Sequence, residues 1–157
     1  MDTVWVLEHG TCLNRNLIRE IYGLARVDWS KPECRKHVPD AHTGTIQSVA
    51  WAPDGTKFVT VSYDRAIGIW DPDGNQIRRV PNAHTNWITS VAWAPYGTKF
   101  VTGSYDGSIG IWSPSGHQLG RVETAHARCI TSVAWAPDGT KFVTVSADKS
   151  FKIWTGS

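Results

Sequence analysis

The sequence predicts an all-β protein built of stacked four-stranded antiparallel meanders, and three observations predict it. First, one stretch is written three times, SVAWAPDGTKFVTVSYD from Ser48, SVAWAPYGTKFVTGSYD from Ser90 and SVAWAPDGTKFVTVSAD from Ser132, at a constant spacing of 42 residues (48 to 90 to 132). Second, the runs inside each copy are short, evenly spaced, β-branched and aromatic. Third, a Pro-x-Gly turn recurs between them at fixed places.

In the first copy, Ile46 to Ala52 alternates, with Ile46, Ser48, Ala50 and Ala52 on one side and Val49 and Trp51 on the other. Lys57 to Ser62 follows as a β-branched and aromatic run, Ala66 to Trp70 alternates again, and Asn75 to Val80 is a fourth short run. Ala52-Pro53-Asp54-Gly55 carries Pro at the second place and Gly at the fourth, which suits a type I turn. Asp71-Pro72-Asp73-Gly74 repeats that grammar, and the second copy answers with Ala94-Pro95-Tyr96-Gly97 and Ser113-Pro114-Ser115-Gly116. A single meander has two open edges and two faces that need cover. Stacking supplies the cover, so each copy provides the surface its neighbour lacks.

Composition narrows the function. At 157 residues the chain is about one domain, with 41% hydrophobic and 19% charged residues. A net charge of +2 is too small to point to nucleic acid. Most of the nine tryptophans recur with the repeat and belong to its architecture. Cys12, Cys34 and Cys129 form no C-x-x-C pair, which argues against a disulfide framework and a zinc site, and no cofactor is expected. A reducing, cytoplasmic setting is the default for such thiols. No apolar run approaches membrane-spanning length, and Val4 to Leu7 is too short for a signal peptide.

A His, a Ser, an Asp and a Trp recur together in all three copies. The sets are His42, Ser62, Asp64 and Trp70; His84, Ser104, Asp106 and Trp112; and His126, Ser146, Asp148 and Trp154. With these sets, residues 41–154 resemble the WD repeats, which build β-propellers from four-stranded blades. The resemblance implies a buried chain from the Trp indole through the Ser hydroxyl and the imidazole to the carboxylate. The donors and acceptors match: Trp only donates, Ser and neutral His do both, Asp only accepts. Departures from the family pattern are Ala-His in place of Gly-His in every copy, and Ser113 and Thr155 where the first copy has Asp71.

The expected organisation is an N-terminal segment over 1–40, then blades over 41–82, 83–124 and 125–157, together an incomplete propeller. The third copy stops after Trp154 with Thr155-Gly156-Ser157, so its fourth strand is missing. VDWSKPECRKHVPDAH (Val27 to His42) resembles IGIWDPDGNQIRRVPNAH (Ile67 to His84), which makes Arg35 to Asp40 an outer strand. That strand should edge a preceding blade or dock on the last blade of another copy. Further upstream two readings stand. Val4 to Leu13 echoes Val49 to Phe58 and suggests a degenerate blade. Leu13, Leu17, Ile18, Ile21 and Leu24 keep helical spacing after a cap at Asn14.

A His and an Asp that recur in every copy read as structure, because a catalytic site occurs once. No nucleophile constellation stands apart from the repeat, and His9, His37 and His117 are isolated. The copies differ just after the His (Gly44 to Gln47, Asn86 to Thr89, Arg128 to Thr131) and around the Asp (Tyr63 to Arg65, Tyr105 to Gly107, Ala147 to Lys149). The family resemblance implies that these loops share one partner-binding face. Trp87, Tyr63, Tyr105, Arg65 and Arg128 are residue types enriched in binding hot spots and are the candidate contacts. The expected function is therefore a non-enzymatic protein–protein interaction scaffold, completed by self-association or as part of a larger propeller, with no membrane partner. Three chains of three blades would give nine, and two chains of four would give eight. The alternatives are RNA or small-ligand binding by stacking on the aromatic loop residues, or a fragment of a longer repeat protein.

Overall fold

The computed structural model describes Trp5–Val6, Cys12–Leu13 and residues 30–156. The chain divides into two compact units, residues 1–35 and 36–157. In the first, β1 (Trp5–Val6) and β2 (Cys12–Leu13) pair antiparallel, Trp5 opposite Leu13 and Val6 opposite Cys12. Of the residues behind the helical reading, Leu13 lies in β2, and 14–24 lie outside the described residues.

The second unit carries three sheets. The first is β3 (Ile46–Trp51), β4 (Phe58–Ser62), β5 (Ile67–Trp70) and β6 (Gln76–Val80), in sequence order. The second is β7 (Ile88–Trp93), β8 (Phe100–Ser104), β9 (Ile109–Trp112) and β10 (Gln118–Val122). The third has three strands, β11 (Ile130–Trp135), β12 (Lys141–Ser146) and β13 (Phe151–Thr155). Register repeats with the sequence: Trp51, Trp93 and Trp135 stand opposite Phe58, Phe100 and Phe142. Among the described residues every element is a strand, turn or bend, and the architecture is an all-β row of antiparallel blades that is not closed.

One expectation is corrected here. Arg35 to Asp40 forms no outer strand; residues 35–38 are irregular and 39–40 are a turn. A fourth strand needs a third strand beside it to take its hydrogen bonds, and this segment has none among the described residues.

The blades stack through two cores. One joins Val59, Val61, Ile67 and Ile69 of the first blade to Ile88, Val91 and Trp93 of the second. The other joins Val101 and Ile109 to Ile130, Val133 and Phe142. Polar contacts cross as well: the Trp93 indole donates to the Ala50 carbonyl at 3.2 Å, and the Val133 amide donates to Ser90 Oγ at 3.2 Å. The gain from stacking shows in equivalent positions. Trp93 is 8% exposed where Trp51, with no described blade in front of it, is 54% exposed. Each large side chain so covered contributes about 1.5–3 kcal/mol, which is why one unit does not stand by itself.

Candidate functional site: a loop face above a buried relay

The turns after β4, β8 and β12 and the loops before β3, β7 and β11 lie at one end of the sheets and are laced together. The amides of Tyr63, Tyr105 and Ala147 donate to the carbonyls of Thr45, Trp87 and Cys129 at 3.0, 2.8 and 3.0 Å. The Ala83 amide donates to the Arg65 carbonyl, and the His126 amide to the Gly107 carbonyl, so the first two turns also hold the loop of the following blade. Local backbone geometry fits: Arg65, Gly107 and Lys149 occupy the same left-handed turn position, with φ of 65, 80 and 69°.

Beneath this face lies the relay, with a different hydroxyl from the one expected. The Trp70 indole donates to Thr60 Oγ1 at 2.8 Å, and Thr60 Oγ1 lies 2.8 Å from His42 Nε2. His42 Nδ1 lies 2.9 Å from Asp64 Oδ2. Trp112–Thr102–His84 and Trp154–Thr144–His126 repeat the inner links at 2.7–2.9 Å. Ser62, Ser104 and Ser146 are thus corrected out of the chain. They sit at the strand end beyond the indole's reach and instead accept the amides of Asp64, Asp106 and Asp148 at 3.1–3.2 Å. Ser104 and Ser146 also donate to the carbonyls of Trp87 and Arg128. The serines hold the variable loops in place, and the threonines hold the blade.

One tautomer satisfies the links. Trp can only donate, so the Thr oxygen accepts; the Thr proton goes to His Nε2; His Nδ1–H then donates outward. In the second blade the outward acceptor is Ser108 Oγ at 2.7 Å, with Asp106 further off at 3.9 Å. In the first, Arg79 closes the set from β6, donating to Asp64 at 2.7 Å. All three imidazole side chains are fully buried, with both ring nitrogens engaged. No ring nitrogen is left to take a proton from a substrate, so the set is a tie between strands.

Its charges are tuned accordingly. Burial pushes His84 down from 6.5 to about 4, against the opposing pull of Asp106. Partial burial pushes Asp64 up, but the Ala66 amide, Arg79 and His42 outweigh it and hold the carboxyl at about 2. Burial likewise pushes Asp106 up, but hydrogen bonds from Ser108 and Thr85 outweigh it and hold the carboxyl at about 2. The Ser150 hydroxyl heads the groups that hold Asp148 well below the usual range.

A stability profile follows. The unfolded chain takes up a proton near 6.5 where folded His84 refuses it until about 4, so this contribution is whole above pH 6.5 and is lost as pH falls towards 4. The Asp64 and Asp106 contributions are present above 3.8 and are lost between there and about 2. Thermal melts should show Tm level above neutrality, declining below pH 6.5 and steeply below pH 4. A Tm that rises on acidification from 7 to 5 would contradict this.

On the loop face, three of the five candidate contacts meet. Tyr63 and Trp87 stack with ring centroids 4.3 Å apart and planes 20° from parallel; Trp87 and Tyr105 meet at 5.4 Å and 60°. The cluster bridges the first two blades, and Trp87 and Tyr105 are 44 and 49% exposed. Arg65 and Arg128 are exposed on flanking loops, and neither makes an ion pair or ring contact among the described residues.

Comparison with known proteins places the chain. A family model described as "Eukaryotic translation initiation factor eIF2A" matches residues 26–157. "Probable cytosolic iron-sulfur protein assembly protein 1" of Mycosarcoma maydis is 43% identical over 37 residues, 24% of this chain and 8% of that protein. "Protein CIA1" of Arabidopsis thaliana is 34% identical over 68 residues, 42% of this chain and 18% of that one. The chain thus spans less than a fifth of the length of either relative. Among solved structures, the RRP9 WD40 repeats superpose with a TM-score of 0.69 at 22% identity, over 73% of this chain and 36% of that one. With the model matching from residue 26 onward and the blades repeating the WD40 geometry, the chain belongs to the eIF2A family and its three repeats are WD-type propeller blades.

Proposed function

We propose that the chain is a non-enzymatic interaction platform that binds a protein partner on its loop face and acts in association with further blades. The observation that carries this is the Tyr63–Trp87–Tyr105 stack: large rings, two of them half-exposed, at the place where otherwise near-identical copies differ. Rigid aromatic groups lose little side-chain entropy on binding and dominate interface energetics. The engaged state of every relay histidine supports a non-catalytic reading. The names of the similar proteins point to separate processes, translation initiation and iron–sulfur protein assembly, so the process is not assigned from them. A cytosolic setting agrees with the thiol content and with the name of the iron–sulfur assembly relative.

The test is quantitative capture from extract by wild type and by Trp87→Ala at matched circular dichroism. The expected result is loss of the specifically bound polypeptides, at least about 30-fold in affinity for a hot-spot ring. Equal capture by both proteins would remove the stack from the function. The same rings could stack a base, so titration with single-stranded RNA at low salt separates the readings; no salt-sensitive binding is expected.

A further inference from the structure

The two outer faces of the blade row are the two halves of a contact the chain already makes twice. Ile88, Val91 and Trp93 on the second blade are buried against the first, and Ile130 and Val133 are buried against the second. In the first blade the same positions, Ile46, Val49 and Trp51, are 46, 59 and 54% exposed. At the other end, Val145, Phe151 and Ile153 stand where the first blade has Val61, Ile67 and Ile69. Those three are at most 1% exposed, whereas Val145, Phe151 and Ile153 are 38, 67 and 62% exposed.

The fourth strand tells the same story. A Cβ placed on Gly116 would lie 3.0 Å from Val80 and 3.5 Å from Arg78, because β6 packs on the next blade's turn. A Cβ on Gly74 would lie 3.4 Å from Val38 and 3.3 Å from Lys36, the residues 42 positions earlier (80 to 38, 78 to 36). Lys36 to Val38 therefore sits against the first blade as a fourth strand sits against its neighbour, and β13 is a third strand with no fourth beside it among the described residues.

The charges on these two pieces are matched. In complete blades, Gly68 and Gly110 stand opposite Arg79 and Arg121, whose NH1 groups donate to the Ala41 and Ala83 carbonyls at 3.5 and 2.8 Å. In the third blade Lys152 occupies the glycine position, and its Nζ donates to the equivalent carbonyl of Ala125 at 2.6 Å. The residue of the Lys36–Val38 segment at the arginine position is His37. The cation has moved from the fourth strand to the third: Gly opposite Arg becomes Lys opposite His. An arginine at 37 would set two permanent cations side by side.

We propose that a second copy of this chain completes the third blade. Lys36 to Val38 of one copy lies along β13 of the other with His37 opposite Lys152, while Ile46, Val49 and Trp51 seat on Val145, Phe151 and Ile153. This rests on the reading that the chain acts by associating, and it names the partner and the register. Two copies joined at both ends make six blades, within the range of about four to eight found in closed propellers, and a head-to-tail contact that closes leaves no bare face.

Native mass spectrometry of the 157-residue chain at micromolar concentration should give twice its 17.4 kDa. Trp51→Glu should return the mass to 17.4 kDa with unchanged circular dichroism. With Cys12, Cys34 and Cys129 replaced by serine, the pair His37→Cys and Lys152→Cys should form a disulfide between copies, since opposed residues in an antiparallel pair lie within disulfide reach. The pair His37→Cys and Lys149→Cys should not. A monomer overturns this proposal and leaves only blades of another protein for the association reading. An oligomer without the 37–152 cross-link overturns the register alone and leaves association standing.

Discussion

Replacing Thr102 with valine should lower the unfolding free energy by about 2–5 kcal/mol, read by chemical denaturation of the whole chain. Valine has the shape of threonine, so packing is kept. What goes is the oxygen that takes the Trp112 indole at 2.8 Å and the proton that reaches His84 Nε2 at 2.7 Å. Both partners are buried, Trp112 at 2% and His84 at 2% exposure, and each buried group left unpaired costs about 1–3 kcal/mol. Thr102→Ser keeps the hydroxyl and should recover most of the loss. Ser146→Ala, at the position the sequence reading put in the relay, removes one amide acceptor in a less buried site and should cost about 1 kcal/mol. Stability of Thr102→Val within 0.5 kcal/mol of wild type, the scatter of an ordinary surface change, would mean the relay carries no weight.

Gly103→Val should also destabilise, by about 3 kcal/mol, although valine is what the first and third blades carry at this position, Val61 and Val145. A Cβ on Gly103 would lie 2.5 Å from Ile130 Cγ2 and 3.1 Å from Val133 Cγ1. Ile130 is wholly buried, and the chain is pinned there by the Thr89 hydroxyl, which donates to both the Gly103 and the Ile130 carbonyls. The third blade has no room to retreat. Making the copies more alike thus weakens the stack, because the second and third blades meet more closely at this point. A melt unchanged by Gly103→Val would contradict this packing.

Much of the fold was legible because the repeat states it three times. Strand bounds, turn positions and the blade count follow from Pro-x-Gly punctuation and alternation, both of which are local. In the first and third blades three of the four relay members stand as read from the sequence; in the second, Ser108 and not Asp106 takes the outward bond of His84. The hydroxyl was missed because Ser62 and Thr60 recur at the same spacing and both can accept a proton. Depth along the strand decides between them: Thr60 stands within β4, paired with Gly68, whereas Ser62 is the strand's last residue, and that depth shows only once the strands are paired. Arg79, Arg121 and Ser108 were also passed over, since their roles depend on contacts between distant strands and on small differences between blades. The aromatic cluster was legible as a list of residues; that Tyr63, Trp87 and Tyr105 touch while Arg65 and Arg128 stand apart required the stacking of one blade on the next. The outer strand over 35–40 was read from a true internal likeness, but a strand also needs a partner.

Each 42-residue copy is one blade tied by an indole–hydroxyl–imidazole chain, with the Tyr63, Trp87 and Tyr105 rings outside it. The most direct measurement is hydrogen exchange of the tryptophan indole protons by nitrogen-edited NMR, assigned with Thr60→Val, Thr102→Val and Thr144→Val. Indole protons of Trp70, Trp112 and Trp154 should exchange slowly, each losing protection only with its own threonine, while that of Trp87 exchanges fast. Exchange of the three relay indoles as fast as that of Trp87 would contradict the account.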